Sequence, residues 1–297
     1  MNYTLHQLRI FVEVVKEQSV TEASKKLNIS QPALSIQLKN FQDQFDKPLT
    51  EIHSRRIHIT EFGLAISEIA ENVLSEAEMI QYRTKEYDGL VTGKLSISSA
   101  STGKYVFPYF ITEFHQKHPG IDLELDVTNK TKVIEDLANN LVDFALVSVI
   151  PDGIDVYEEI LLKNDLYLVG DQPTFNEDTS LIYRESGSAT RASMDKYFKG
   201  RKKRKSIKLT SNEAVKQAAI AGLGYSILPL IGIKNEIKNK QLYIVKSKGL
   251  PISTKWRLIW LKKKKLSHAA EAYLDFIKQN KEEIIKTKFD WYLNNDL

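Results

Sequence analysis

The chain of 297 residues contains no cysteine, which excludes disulfides, thiolate nucleophiles and cysteine-based zinc sites together. Long apolar runs are missing as well: no stretch approaches the roughly 20 residues a helix needs to cross a bilayer. The opening segment MNYTLHQLRIFVEVVKEQ carries Arg9 and Glu13 inside its apolar pattern, so it is not a signal peptide and the expected location is cytoplasmic, with no membrane partner. Neither sign of charge dominates. The 42 Lys and Arg against 38 Asp and Glu leave +4, which permits an anionic partner without requiring one. Histidine is scarce at six and shows no metal-ligand spacing; His53 and His58 flank one short strand, and His115 and His118 sit at a helix end. No Ser-His-Asp or nucleotide-loop signature is present, so the sequence implies no metal, no cofactor and no catalytic residues. A chain of this length buries a sizeable core and divides into two or three compact units.

The N-terminal sixty residues read as short helices. Thr4 is placed to cap a first helix in which Leu5, Leu8, Val12 and Val15 line one face. Thr21 is placed to cap a second, TEASKKL, with Ala23 and Leu27 inward. Ser30 caps a third, with Pro32 in its first turn, where a missing N–H costs little. In that third helix Leu34, Leu38, Phe41 and Phe45 recur at steps of four, three and four, one narrow buried stripe. The opposite side presents Pro32, Ile36, Lys39 and Asn40, with Gln31 and Ser35 on the flank. Such a face fits a major groove: Gln pairs with an adenine edge, Ser with several edges, Ile with a thymine methyl and Lys with phosphate. Helical spacing alone leaves a plain three-helix subdomain equally open. The following HSRRIHIT is a short alternating strand behind a basic tip, the pattern of a wing, which sets Arg55 and Arg56 against a phosphate backbone or a minor groove.

VTEASKKLNISQPALSIQLKNF and RRIHITEFG resemble the DNA-binding domain of the LysR-type transcriptional regulators over residues 4 to 63. Two departures bear on packing: Phe41-Gln42 stands where the family has Leu-Glu, and Thr50 where it has Phe. From Glu61 to Tyr87 a helical stripe of Phe62, Ile66, Ile69, Val73, Ala77 and Ile80 is longer than so small a domain covers, which points to a partner helix in a homodimer. DGLVTG, 88 to 93, reads as a hinge.

Beyond it strand and helix patterns alternate through KLSISSA, GKYVFPYFITEFHQKH, IDLELDVT, TKVIEDLANN and VDFALVSV, then again from DLYLVGD to RLIWLKK, before a long last helix. Alternation of this kind predicts an α/β unit with a mainly parallel sheet. At three strand-to-helix junctions hydroxyl or amide side chains stand beside a cation. They are Ser101 and Thr102 with Lys104; Asn129 with Lys130; and Ser186, Ser188 and Thr190 with Arg184 and Arg191. Helix N-termini favour anions, and the three junctions together point to a small anionic ligand. The run KGRKKRKSIKL reads as a solvated loop.

These segments, with HPGIDLEL, SNEAVKQAAIAGLGYSILP and LPISTKWRLIWL, resemble the effector domain of the same family, most closely its CbbR and CmpR subgroup, with CysL-like regulators nearby. The resemblance implies an α/β chain with an N-terminal all-α winged helix-turn-helix (1–60), a linker and dimerisation helix with hinge (61–91), and a two-lobed effector domain of periplasmic-binding-protein type II fold. Lobe I would comprise 92–163 and 266–297, and lobe II 164–265. It implies a sequence-specific transcriptional regulator whose partners are double-stranded promoter DNA, a small anionic metabolite, RNA polymerase and further copies of the chain, as dimer or tetramer. Ala189 stands where the subgroup has glycine, which narrows the expected pocket. The alternative is a small-molecule binding protein whose N-terminal helices serve assembly alone.

Overall fold

A computed structural model describes residues 2–53, 56–87, 91–201 and 204–293. The chain forms two compact units, Met1–Gly89 and Leu90–Leu297.

The first unit begins with α1 (Leu5–Glu17). The Thr4 hydroxyl accepts from the Gln7 N–H at 3.2 Å and the Gln7 amide oxygen accepts from the Thr4 N–H at 2.9 Å, a reciprocal cap. Its buried face is wider than the four-residue stripe expected, taking in Ile10, Phe11 and Val14, while Leu5 is exposed. Helix α2 (Val20–Lys26) starts two residues earlier than expected. Ser19 caps it, accepting from the Glu22 N–H at 3.3 Å, and Thr21 lies within its first turn. Ser30 caps α3 (Gln31–Gln42), which buries Leu34, Leu38 and Phe41; Phe45 lies past its end and stacks edge-on to Phe41 at 5.1 Å. Full burial of a ring such as Phe41 contributes about 1.5–3 kcal/mol.

Strands β1 (Thr50–His53) and β2 (Arg56–Ile59) pair antiparallel as the wing. The two departures from the family pattern meet here. The Gln42 amide oxygen accepts from both the N–H (3.0 Å) and the hydroxyl (2.7 Å) of Thr50, so a polar clamp seats the wing against α3. Helix α4 (Glu61–Tyr87) then runs for 27 residues. Its stripe divides: Phe62 and Ile66, with Ala70 and Leu74, pack on the core of this unit, whereas Ile69, Val73 and Ile80 are 58%, 40% and 70% exposed.

The second unit runs through β3 (Gly93–Ala100), a 3-10 turn (Ser101–Tyr105), α5 (Phe107–Lys117), β4 (Ile121–Thr128), α6 (Lys130–Ala138), β5 (Phe144–Val147) and β6 (Val156–Gly170). Then come β7 (Leu181–Arg184), α7 (Ala189–Phe198), β8 (Ser206–Leu209), α8 (Asn212–Ile220), β9 (Ser226–Pro229), a second 3-10 turn (Leu230–Gly232), α9 (Lys234–Lys238) and β10 (Tyr243–Ile244). Strand β11 (Ile252–Leu261), α10 (His268–Lys288) and α11 (Asp290–Leu293) close it. Of the expected hinge, residues 88–90 lie outside the described residues, and Gly93 belongs to β3.

The main sheet has order β10-β6-β11-β5-β3-β4, with β9 also on β6. It is mixed rather than mainly parallel. Only β3 with β4 and β5 runs parallel in it; β5–β11, β11–β6, β6–β9 and β6–β10 are antiparallel. The antiparallel part centres on β6 and β11, which pair from Val156–Leu261 to Leu166–Ile252, with β9 and β10 on β6 and β5 on β11. The lobe boundary expected at 163/164 therefore falls inside one continuous strand. Strands β7 and β8 form a separate parallel pair. Phe107, Phe110, Phe114, Phe144, Trp256 and Tyr273 fill the core beneath α5 and α10. This frame delivers the C-terminal ends of β3, β4, β7 and β8 directly into helical starts, each a place where backbone N–H groups lack internal partners.

Candidate DNA-reading face and ligand-binding site

On α3 the exposed residues are Gln31, Pro32, Ala33, Ser35, Ile36, Lys39 and Asn40, Ile36 at 58%. Gln31 accepts from the Thr21 hydroxyl at 3.4 Å, and Gln37 is held on the inner flank by the Gln7 amide at 3.2 Å. The outward face therefore presents an apolar branch at Ile36, a hydroxyl at Ser35 and a cation at Lys39 on a helix anchored by its opposite side. Of the wing arginines, Arg55 lies outside the described residues, and Arg56 opens β2, its backbone paired with His53.

In the second unit three junctions meet at one buried guanidinium. Arg184 ends β7 with its side chain 2% exposed. Its Nε and Nη2 donate to the two Glu185 carboxylate oxygens at 2.7 Å each, a bidentate pair. Burial pushes the Glu185 carboxyl up, but its bonds to Arg184, its backbone hydrogen bond and the charges of Arg184 and Lys208 together outweigh this and leave it below the usual carboxylate range. Both Nη atoms also point at the Ser101 hydroxyl, at 3.4 Å each. The Asn212 Nδ2 donates to the same hydroxyl at 3.1 Å. Asn212 is buried, and its Oδ1 has no partner. An unpaired buried amide oxygen costs about 1–3 kcal/mol, so the cluster gains from any donor brought to it.

Arg191, on the first turns of α7, donates through Nη1 to the Arg184 carbonyl at 3.1 Å and through Nε to Asp195 at 2.8 Å, its guanidinium 4.5 Å from the Tyr183 ring centre. It also lines a cavity of about 450 Å3 with Lys130, Thr131, Ser186, Gly187 and Ser188. Gly187 has φ +85°, and a Cβ there would stand 2.5 Å from the Thr131 hydroxyl, so α6 and the start of α7 approach as closely as a glycine permits.

The expected ligand residues thus fall into groups. Ser101 and Arg184 are hydrogen-bonded, with Thr102 buried beside Ser101 in the 3-10 turn. Lys130, Ser188 and Arg191 line the cavity, and Thr190 is buried behind them. Asn129 is spent as the cap of α6, accepting from the Lys132 N–H at 3.0 Å. Lys104 is not brought to this cavity; it lines another. Sequence reading missed Asn212. Its signal was present, since LTSNEA is a fourth strand-to-helix junction in which Ser211 caps α8 at 3.0 Å, but that segment carries no cation of its own.

The fold is that of a DNA-binding regulator with an effector-binding domain, and two family models match in the corresponding places. The bacterial regulatory helix-turn-helix protein, lysR family, matches residues 5–64, and the LysR substrate binding domain matches residues 88–282. The chain belongs to the LysR family of transcriptional regulators, a non-enzymatic family. It is 33% identical over 289 residues to the HTH-type transcriptional activator CmpR of Synechocystis, covering 93% of this chain and 95% of that protein. Among solved structures, the Synechocystis CcmR regulatory domain in complex with 2-PG is 31% identical at TM-score 0.60, covering 64% of this chain and 98% of that one. A full-length OxyR variant of Pseudomonas aeruginosa shares the fold at TM-score 0.68 and 21% identity, covering 96% of this chain and 95% of that one.

Proposed function

We propose that this LysR-type regulator binds a small anionic metabolite at the Arg184 cluster, and that the bound anion sets how the protein engages promoter DNA. The observation that carries the reading is the state of the Arg184 fork. One edge is committed to Glu185 at 2.7 Å, while the other reaches Ser101 only at 3.4 Å, beyond the usual 2.7–3.2 Å for N–H···O. An anion oxygen near the Ser101 hydroxyl would take charge-assisted bonds of about 2.7–2.9 Å in place of these long ones. Lys130, Thr131, Ser188 and Arg191 furnish further donors in the adjoining cavity. That the regulatory domain of the CcmR relative was solved with 2-PG supports an acidic ligand class.

In this reading Gln31, Pro32, Ser35, Ile36 and Lys39 face base edges and phosphates, with Arg55 and Arg56 on the flanking backbone. The exposed Ile69, Val73 and Ile80 of α4 meet the same helix of a second copy, giving a homodimer or a tetramer built from dimers. Twofold symmetry then supplies two recognition helices to two half-sites. A ligand that prefers one arrangement of the two lobes shifts the population and with it the promoter contacts available to RNA polymerase. The protein acts in the cytoplasm.

Calorimetric titration of the full chain with sugar phosphates, phosphoglycolate, sulfite and sulfate tests the ligand class. Saturable binding of at least one, lost in Arg184→Ala, is expected; no binding by any of them would contradict it.

A further inference from the structure

A second hollow, of about 430 Å3, adjoins the other end of the same elements. The 3-10 turn gives Ser101 to the Arg184 cluster and Lys104 with Tyr105 to this hollow. Helix α8 gives Asn212 to the first and Lys216 to the second. Lys234, Lys288 and Trp291 line its remaining sides, from α9, α10 and α11.

Its chemistry is lopsided. Glu236 is the acid in the lining, and it is already bonded to Lys216 at 2.7 Å; Glu213, from outside, holds Lys216 at 3.1 Å. Burial pulls the Lys216 ammonium down, yet the two carboxylates outweigh this and hold it raised, so Lys216 and Glu236 stand as a settled pair. Among the described residues Lys104, Lys234 and Lys288 are in no ion pair. Lys234 instead rests over the Trp291 ring at 4.1 Å, and Lys104 lies 5.1 Å from the Tyr105 ring centre. The walls are aromatic. Tyr109, 49% exposed, stands edge-on to the buried Phe289 at 5.2 Å. Tyr105 is seated on Gly232, where a Cβ would come within 2.7 Å of the ring.

Three ammonium groups outside any ion pair, set around the half-buried rings of Tyr105 and Trp291 and the exposed ring of Tyr109, suit a molecule that is both charged and flat. A ring-less anion would leave the aromatic walls uncovered, and an uncharged ring would leave the lysines unused. We propose that this hollow is a second ligand site, distinct from the Arg184 cluster, for an organic anion carrying a planar aromatic ring.

The test is calorimetric titration of the full chain with adenosine monophosphate and with 4-hydroxybenzoate, which separates a ring-bearing phosphate from an aryl carboxylate. Ribose 5-phosphate serves as the ring-less comparison. The proteins are the wild type, Lys234→Gln/Lys288→Gln, and Arg184→Ala, with Ser101→Ala in its place if the latter does not fold. At least one ringed probe is expected to bind the wild type, to lose about tenfold or more in the double lysine variant, and to stay within about twofold when the first cluster is altered. In that altered background ribose 5-phosphate is expected to bind about tenfold more weakly than the ringed probe. The proposal is overturned if neither ringed probe binds at millimolar concentration. It is equally overturned if binding is lost with the first cluster and kept in the lysine variant, or if ribose 5-phosphate binds the altered background as tightly as the ringed probe.

Discussion

Arg184 and Ser101 lie 83 positions apart and meet with both guanidinium Nη atoms 3.4 Å from one hydroxyl oxygen. The contact joins the end of β7 to the turn that follows β3, and Asn212 closes it from the start of α8. A buried cation is held in place by Glu185 while its second edge makes only long bonds.

Replacing that fork removes the charge and its geometry together. Arg184→Ala is expected to weaken binding of the anionic ligand by at least about 30-fold, the equivalent of 2 kcal/mol or more for a buried charged partner. Arg184→Lys keeps the charge without the bidentate edge and should recover only part of it. Both variants should hold operator DNA without ligand as the wild type does, checked by calorimetry beside a gel shift.

Glu185 carries a pH signature. Its carboxyl is held below the ordinary value of 4.5. Burial opposes this depression, and the bonds from Arg184 with the backbone hydrogen bond and the Arg184 and Lys208 charges together produce it. A depressed carboxylate contributes stability that is complete above its unfolded pKa and lost as pH falls through the folded one. The Tm difference between wild type and Glu185→Gln should therefore be constant from pH 6 to 8 and shrink below about pH 4.5. A difference that grew on acidification would reverse the assignment.

The two kinds of residue on α3 should separate in DNA binding. Lys39→Ala is expected to weaken all sequences alike and to lower the salt slope of log K by about one. Ile36→Ala, which removes an exposed apolar branch, is expected to cost about 1–3 kcal/mol at one base position and leave the salt slope unchanged. Competition titrations at several salt concentrations against a panel of single-base operator variants read both effects.

The start of α3 and both bounds of α4 were legible because caps and apolar periodicity agree there: Ser30 and Pro32 open one, and an uninterrupted stripe marks the other, whereas the stripe of α3 runs on to Phe45, three residues past its end at Gln42. Where two candidate caps stood close, as with Ser19 and Thr21, the pattern did not choose, since either hydroxyl satisfies the local N–H groups. The mixed sheet was not legible. Strand polarity depends on which distant strand is met, and β6 meets β11 some ninety positions later. Nor was the clamp between Gln42 and Thr50; each looked like an isolated departure, and only the turn of the chain sets them 2.7 Å apart. Two of the three junctions that meet in the candidate cluster, those of Ser101 and Arg184, were readable because each sets hydroxyls beside a cation in the sequence. Asn212 was not, because its role comes from the neighbours that the fold brings to it.

The division of α4 into an inward half and an exposed half makes the assembly testable. Ile69→Asp/Val73→Asp places charges on the exposed stripe and spares Phe62, Ile66, Ala70 and Leu74. Sedimentation velocity at micromolar concentration should show a dimer or larger species falling to monomer, with Tm of the monomeric unit little changed. An unaltered sedimentation coefficient would move the interface elsewhere.

The most direct measurement is a footprint of the native upstream DNA with wild type and with Arg184→Ala, each alone and with the anion that binds. We expect both proteins to protect the same core site without ligand, the wild-type footprint to change when the anion is added, and that of the variant to stay as it was. Footprints indifferent to every anion, or a variant that responds as the wild type does, would contradict the account.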